Sequence, residues 1–126
     1  KDSLGKALVE LDRFEAELTA TGIPDSTPSF NLTWHDWLNL ESQLTVSKTI
    51  VHAALARENS RGAHYRDDFP DEGDLAASYF TKVRLEGDGS KASNFDVTTE
   101  PVKFTIVQPG ESLIEGGVGA PAVAGL

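Results

Sequence analysis

Residues 56–70, ARENSRGAHYRDDFP, hold the densest group of side chains able to do chemistry: Arg57, Arg61, His64, Tyr65 and Arg66, interleaved with Glu58, Asp67 and Asp68. Arginine occupies every basic position of the run. Its planar fork makes bidentate contacts with carboxylates or backbone carbonyls that a lysine ammonium cannot match. A catalytic reading would use Arg61 or Arg66 as an electrophilic clamp on a dicarboxylate and His64 as proton donor. Nothing else in the chain completes such a reaction, because there is no cofactor fold, metal site or nucleophile set, and catalysis by this segment alone is not expected. The structural reading is a helix stop. Arg57 and Arg61 share a face if the helix reaches that far, Gly62 permits the left-handed conformation that ends it, and cations suit the C-terminal end of the dipole.

Other fragments carry less. GDGSKA at Gly87 and GVGAPA at Gly117 imitate a phosphate-binding glycine fingerprint. That fingerprint works only where a strand delivers the glycines to a helix N-terminus, so both are read as loop glycines. Asn31-Leu32-Thr33 is a glycosylation sequon, read here as the polar lead-in to a helix. His35 and His52 have no carboxylate at i+4 and form no metal site.

The elements that must position the arginines follow from periodicity. Leu4, Leu8, Leu11, Phe14 and Leu18 recur at spacings of four, three, three and four, which predicts a helix over 3–21, stopped by Gly22 and Pro24. A second helix is expected to start at Thr33, its hydroxyl capping the backbone near Asp36. Trp37, Leu40, Leu44, Ser47, Val51, Ala54 and Leu55 line one face, while Trp34, Leu38, Thr45 and Ile50 extend it toward a second. One packing partner needs only about a 100° apolar arc, so the wider arc implies a second partner. After Pro70 the period changes to two: SYFTKVRLEG and EPVKFTIV are read as antiparallel strands joined by a long mobile loop, with Tyr79, Thr81, Val83 and Leu85 on one face and Val102, Phe104 and Ile106 on another. The glycine-rich end, 116–126, is expected to be disordered.

The 126 residues are 39% hydrophobic, enough for one small domain. The net charge of −9, from 20 acids against 11 bases, opposes phosphate backbones and anionic membranes, so no nucleic-acid partner is expected. Cysteine is absent, which removes any disulfide framework and fits a reducing compartment. No apolar run approaches the roughly 20 residues that span a bilayer, and the opening residues carry acids throughout, so the chain reads as soluble.

The order of a helix, a proline-bearing linker, NLTWHDWLNLESQLTVSKTIVHAALARENSRGAHYRDDFPD, an acidic connector and TKVRL…EPVKFTIVQPGESL resembles the C-terminal helical domain of the succinate dehydrogenase/fumarate reductase flavoprotein family. The match is densest at Arg57, Ser60, Arg61, Gly62, Ala63, His64, Tyr65, Arg66 and Phe69; Asn59 departs from a frequent glutamate or lysine. The resemblance implies a spectrin-repeat-like helical arrangement lacking its first helix, packed on an FAD-binding domain elsewhere in a parent chain. It implies that the parent exchanges a hydride between a dicarboxylate carbon and flavin, that it works with a membrane anchor and an iron–sulfur subunit, and that it lies at the inner, cytoplasmic face of the membrane. Catalytic and cofactor-binding residues are expected upstream, and this piece is expected to be inactive alone. L-Aspartate oxidase shares the domain, and a self-contained helical assembly module, dimerising through the spare apolar face, is the alternative. The expected organisation is a mainly α helical bundle over 1–70, a β-hairpin extension over 71–115 and the tail over 116–126. Arg57, Ser60, Arg61, Gly62, His64 and Arg66 are expected to fix the end of the second helix and an interdomain face.

Overall fold

A computed structural model describes residues 2–87 and 94–111. The chain runs α1 (Asp2–Thr21), α2 (Leu32–Ala56), β1 (Tyr79–Glu86) and β2 (Asn94–Pro101). This is a mainly α architecture with one small hairpin, as the periodicities predict. The expected tail at 116–126, most of the expected loop at 88–93, and both glycine fragments apart from Gly87 lie outside the described residues.

Helix α1 ends at Gly22, whose φ of 61° is the left-handed conformation glycine takes without a Cβ clash, and its N–H donates to the Leu18 carbonyl at 3.1 Å. The linker then turns the chain back. Its far end is held by Asn31, whose Oδ1 accepts from Trp34 N at 2.8 Å while its Nδ2 donates to the carbonyls of Asp25 (2.8 Å) and Thr27 (3.0 Å). Asn31, and not Thr33, is therefore the N-cap of α2, and Asp36 falls beyond the first turn. The physical reason is that an Asn side chain caps as well as Ser or Thr and also carries two donors, so one residue closes both helix and linker.

The helices run antiparallel. The Trp37 indole donates to the Leu18 carbonyl at 3.0 Å, and farther along Lys48 Nζ sits 2.7 Å from Asp12 and 2.8 Å from Glu15. Lys48 is buried at the centre of this contact, 6% exposed. It follows Leu44 by four residues and precedes Val51 by three, so it occupies the stripe position that periodicity assigns to its neighbour Ser47. An ammonium can sit there because two carboxylates compensate its desolvation.

The hairpin corrects the second expected strand. β2 is NFDVTTEP, paired antiparallel with β1 in the register Val83 with Val97 and Leu85 with Phe95, and residues 102–107 form no strand. By sequence alone Asn94 to Pro101 reads as loop, because Asn, Asp and Thr dilute its alternation. Phe95 and Val97 nevertheless share one face, and Phe95 stacks on His52 of α2 with centroids 4.7 Å apart, so packing on the helix selects this register.

Among the described residues no hydrophobic side chain is buried; the buried set is Lys48, Asn59, Ser60 and Arg66. Trp34 (54% exposed) and Ile50 (62%) lie on the second face of α2, uncovered by α1 or the hairpin. Three of the four buried residues lie in the segment after α2.

Candidate functional site: the arginine corner

Helix α2 stops at Ala56, and Arg57 turns extended with φ −92° and ψ 116°. The end comes earlier than a stop at Gly62 would place it, so Arg57 and Arg61 share no helix face. The last carbonyls are met by a side chain. Arg66 Nη1 donates to the carbonyls of Ala54 (3.1 Å), Leu55 (3.2 Å) and Arg57 (2.6 Å), while Nε and Nη2 clasp Asp68 at 2.9 and 2.6 Å. The guanidinium also lies 4.6 Å over the Phe69 ring, and Arg66 is 4% exposed. A planar cation with five donors is suited to this position: it satisfies orphan carbonyls and complements the negative end of the helix dipole. The Arg66 bonds hold the Asp68 carboxyl well below the usual carboxylate range.

Two turns bring Arg66 back to the helix. Gly62, at φ 58°, makes the tight turn in which Arg61 and His64 exchange backbone hydrogen bonds of 2.9 and 3.1 Å. Its left-handed conformation thus serves this turn and not the helix end. Ser60 is the knot: its N–H donates to the Asp71 carbonyl (2.9 Å), its hydroxyl donates to the Phe69 carbonyl (2.7 Å), and the hydroxyl oxygen accepts from Arg66 N (2.9 Å). Asn59, buried beside it, accepts from Arg57 Nη2 at 3.3 Å.

Arg61 fastens the acidic connector. Its Nε donates to the Glu72 carbonyl (2.5 Å), Nη2 to the Asp74 carbonyl (2.7 Å) and Nη1 to the Ser78 hydroxyl (2.6 Å), immediately before β1. Gly73 turns the connector at φ 71°, a conformation that favours glycine, and a Cβ there would meet Arg61 Nη2 only at an ordinary contact distance of 3.7 Å. The arginines thus join helix, turn and connector through backbone carbonyls, and reach the start of the hairpin through the Ser78 hydroxyl.

His64 is partly buried, and its Nε2 is sealed from solvent without a hydrogen-bond partner. Burial and then the charges of Arg57 and Arg66 lower its pKa, against an opposing hydrogen bond to the Arg57 backbone, so the neutral ring is favoured. The ring borders a cavity of about 260 Å³ that also touches Ser3, Leu4 and Ala54, where α1 begins and α2 ends. Tyr65 points outward, 67% exposed.

Chemically this is a fastening site. Every nitrogen of the Arg61 and Arg66 guanidiniums is engaged within the chain, so neither is an open clamp for a dicarboxylate or a phosphate. Among the described residues no group of three or more His, Asp or Glu is placed to hold a metal ion, and no helix is long and apolar enough to cross a membrane. Residue types and spacing point to Arg61, Gly62, His64 and Arg66, and the family resemblance adds Ser60; both miss the Ser78 hydroxyl and the carbonyls of 54, 72 and 74, which no residue type advertises.

The family described as fumarate reductase flavoprotein C-terminus matches residues 1–113. The fumarate reductase flavoprotein subunit of Mycobacterium tuberculosis is 36% identical over 109 residues, covering 86% of this chain and 18% of that protein. A chain of the fumarate reductase (CoM/CoB) of Methanothermobacter marburgensis is 36% identical over 69 residues, 55% of this chain and 12% of its own length. The 8-methylmenaquinol:fumarate reductase flavoprotein subunit of Wolinella succinogenes is 30% identical over 78 residues, 62% of this chain and 13% of its own. The present chain thus spans less than a fifth of the length of these relatives.

Proposed function

The chain belongs to the fumarate reductase flavoprotein C-terminal family, and from that premise we propose that it is the C-terminal helical domain of a longer FAD-dependent oxidoreductase interconverting succinate and fumarate. The observation that carries the reading is the family match over residues 1–113 in a chain whose apolar side chains are all at least partly exposed among the described residues. A domain that packs on a larger neighbour leaves such surface uncovered when viewed by itself.

FAD belongs elsewhere in the parent. What supports this is that Arg61 and Arg66 are engaged within the chain and Gly62 lies in a turn closed by its own chain. The role of the arginine corner is to hold the end of α2, the connector and the hairpin as one rigid face toward the FAD domain, with Arg57, Ser60, Arg61, Gly62, His64 and Arg66 as its frame. An additional helix of the parent covers Trp34, Leu38 and Ile50. The printed names of the relatives differ in electron donor, 8-methylmenaquinol in one and CoM/CoB in another, although the domain is shared. In this reading the electron partner is selected outside this domain, and the parent works with an iron–sulfur subunit and a membrane anchor, peripherally at the cytoplasmic face of the membrane.

The test is to express the complete reading frame and this chain separately. The parent is expected to carry FAD and reduce fumarate with a reduced viologen dye, and the 126-residue chain to do neither. A parent without flavin removes the reading, as does a flavin that copurifies with this chain alone. Arg61→Ala in the parent is expected to lower both flavin retention and melting temperature.

A further inference from the structure

We propose that Phe30, flanked by Leu32, is a docking knob that seats in an apolar socket rimmed by Lys and Arg on the part of the parent polypeptide outside this chain. Phe30 is 102% exposed and Leu32 74%, so apolar surface stands open on both sides of Asn31 at the bend before α2. Phe30 also holds φ at 53°, the only non-glycine residue with positive φ among the described residues. For a bulky aromatic that conformation is an outlier, and such strain persists only where the surroundings impose it. Here Asn31 imposes it: its side chain is fixed at once to Asp25, Thr27 and Trp34, so the residue before it is aimed outward. Nothing inside the chain is gained by that aim, since the ring touches solvent on every side.

Charge selects the occupant. Between Arg13 and Lys48 the chain carries Glu15, Glu17, Asp25, Asp36 and Glu41 and no Lys or Arg; Glu15 and Glu17 are ion-paired with Lys48 and Arg13, which leaves Asp25, Asp36 and Glu41 to set the charge. Asp36 exposes 76% of its side chain. A second copy seated on the knob would bring two such acidic ends together, whereas a basic rim complements them. The chain spans 18% of the Mycobacterium tuberculosis relative, so a parent of that size leaves ample surface outside these residues to supply the socket.

The proposal rests on the reading of the chain as part of a longer flavoprotein, and the two are tested by separate readouts. The full-length parent is made with Phe30→p-benzoylphenylalanine, irradiated, digested and mapped by mass spectrometry, using a mixture of heavy and light protein. A cross-link to a Lys- or Arg-flanked segment of the same polypeptide outside residues 1–126 is expected. A heavy–light cross-link, a cross-link to another subunit, or addition of water alone overturns the proposal. Phe30→Gly removes the ring and accepts φ 53° without strain, so it separates docking from local structure. The parent's Tm is expected to fall by about 2 °C, and an unchanged or raised Tm counts against the knob. Flavin content of the unmodified parent is read independently: its absence sinks the functional reading, while the cross-link map still decides the docking.

Discussion

Arg66 reaches three carbonyls with one nitrogen and a carboxylate with the other two, at a place where water cannot replace it. Arg66→Lys keeps the charge and loses the fork, so stability should drop by about 2 kcal/mol in urea unfolding; a loss below a few tenths would show that charge alone matters. Glycines give an internal contrast. Gly62→Ala puts a Cβ at φ 58° with nothing within 4 Å, so strain alone should cost about 1 kcal/mol, whereas Gly5→Ala inside α1, equally unobstructed, should stabilise by about the same amount. Titration works in two opposite directions. Burial is the largest single effect on Lys48 and lowers its pKa, but the hydrogen bonds its ammonium donates to Asp12 and Glu15 and their charges together outweigh it and hold the pKa above the ordinary 10.5; its contribution is complete below 10.5 and is lost as pH rises through the folded value. His64 lies below its ordinary 6.5, so the unfolded chain binds the proton more readily and stability declines as pH falls under 6.5. Melting temperatures recorded from about pH 5 to 8 should rise with pH, and His64→Gln should flatten that slope. The arginines and Gly62 are legible in the sequence because their chemistry is unusual at any address. Lys48 is not, since a lysine on an apolar stripe is ordinarily solvated and only the carboxylates across the interface reveal it.

At the scale of elements, the helices follow from spacing and the ends do not. Stripe periodicity is a property of neighbouring residues, so α1 and α2 can be read directly. Caps depend on which of several competent side chains wins, and Asn31 wins over Thr33 because it also anchors the linker. Asn31→Ala should therefore cost more than the roughly 1 kcal/mol of an isolated cap, while Thr33→Ala should stay within about half a kcal/mol of neutral. Equal losses in thermal melts of the two variants would restore Thr33 as the cap. Strand β1 is equally plain, but its partner starts at Asn94 and not at Glu100, because an exposed two-stranded hairpin tolerates polar residues on its open face. The contact between Phe95 and His52 chooses the pairing, and it joins residues far apart in the chain.

The whole molecule is unusual in what it hides: four polar residues are buried and no hydrophobic one among those described. The chain by itself should bind the dye ANS and unfold with a shallow urea dependence, as expected where little apolar surface is removed from water. A steep transition with no ANS emission would mean that the apolar face is covered by self-association, which a sedimentation measurement would reveal. The residues alone determined the class of fold, the two helices and their surplus apolar face, the acidic charge and the concentration of arginines after α2, because each of these is local in sequence or a sum over it. Only the tertiary structure decided that Arg66 closes the helix, that Arg61 fastens the connector, that Lys48 is enclosed by α1 and that β2 begins at Asn94. Those outcomes depend on carbonyls and carboxylates brought together by the turn of the backbone, and a carbonyl has no letter in a sequence.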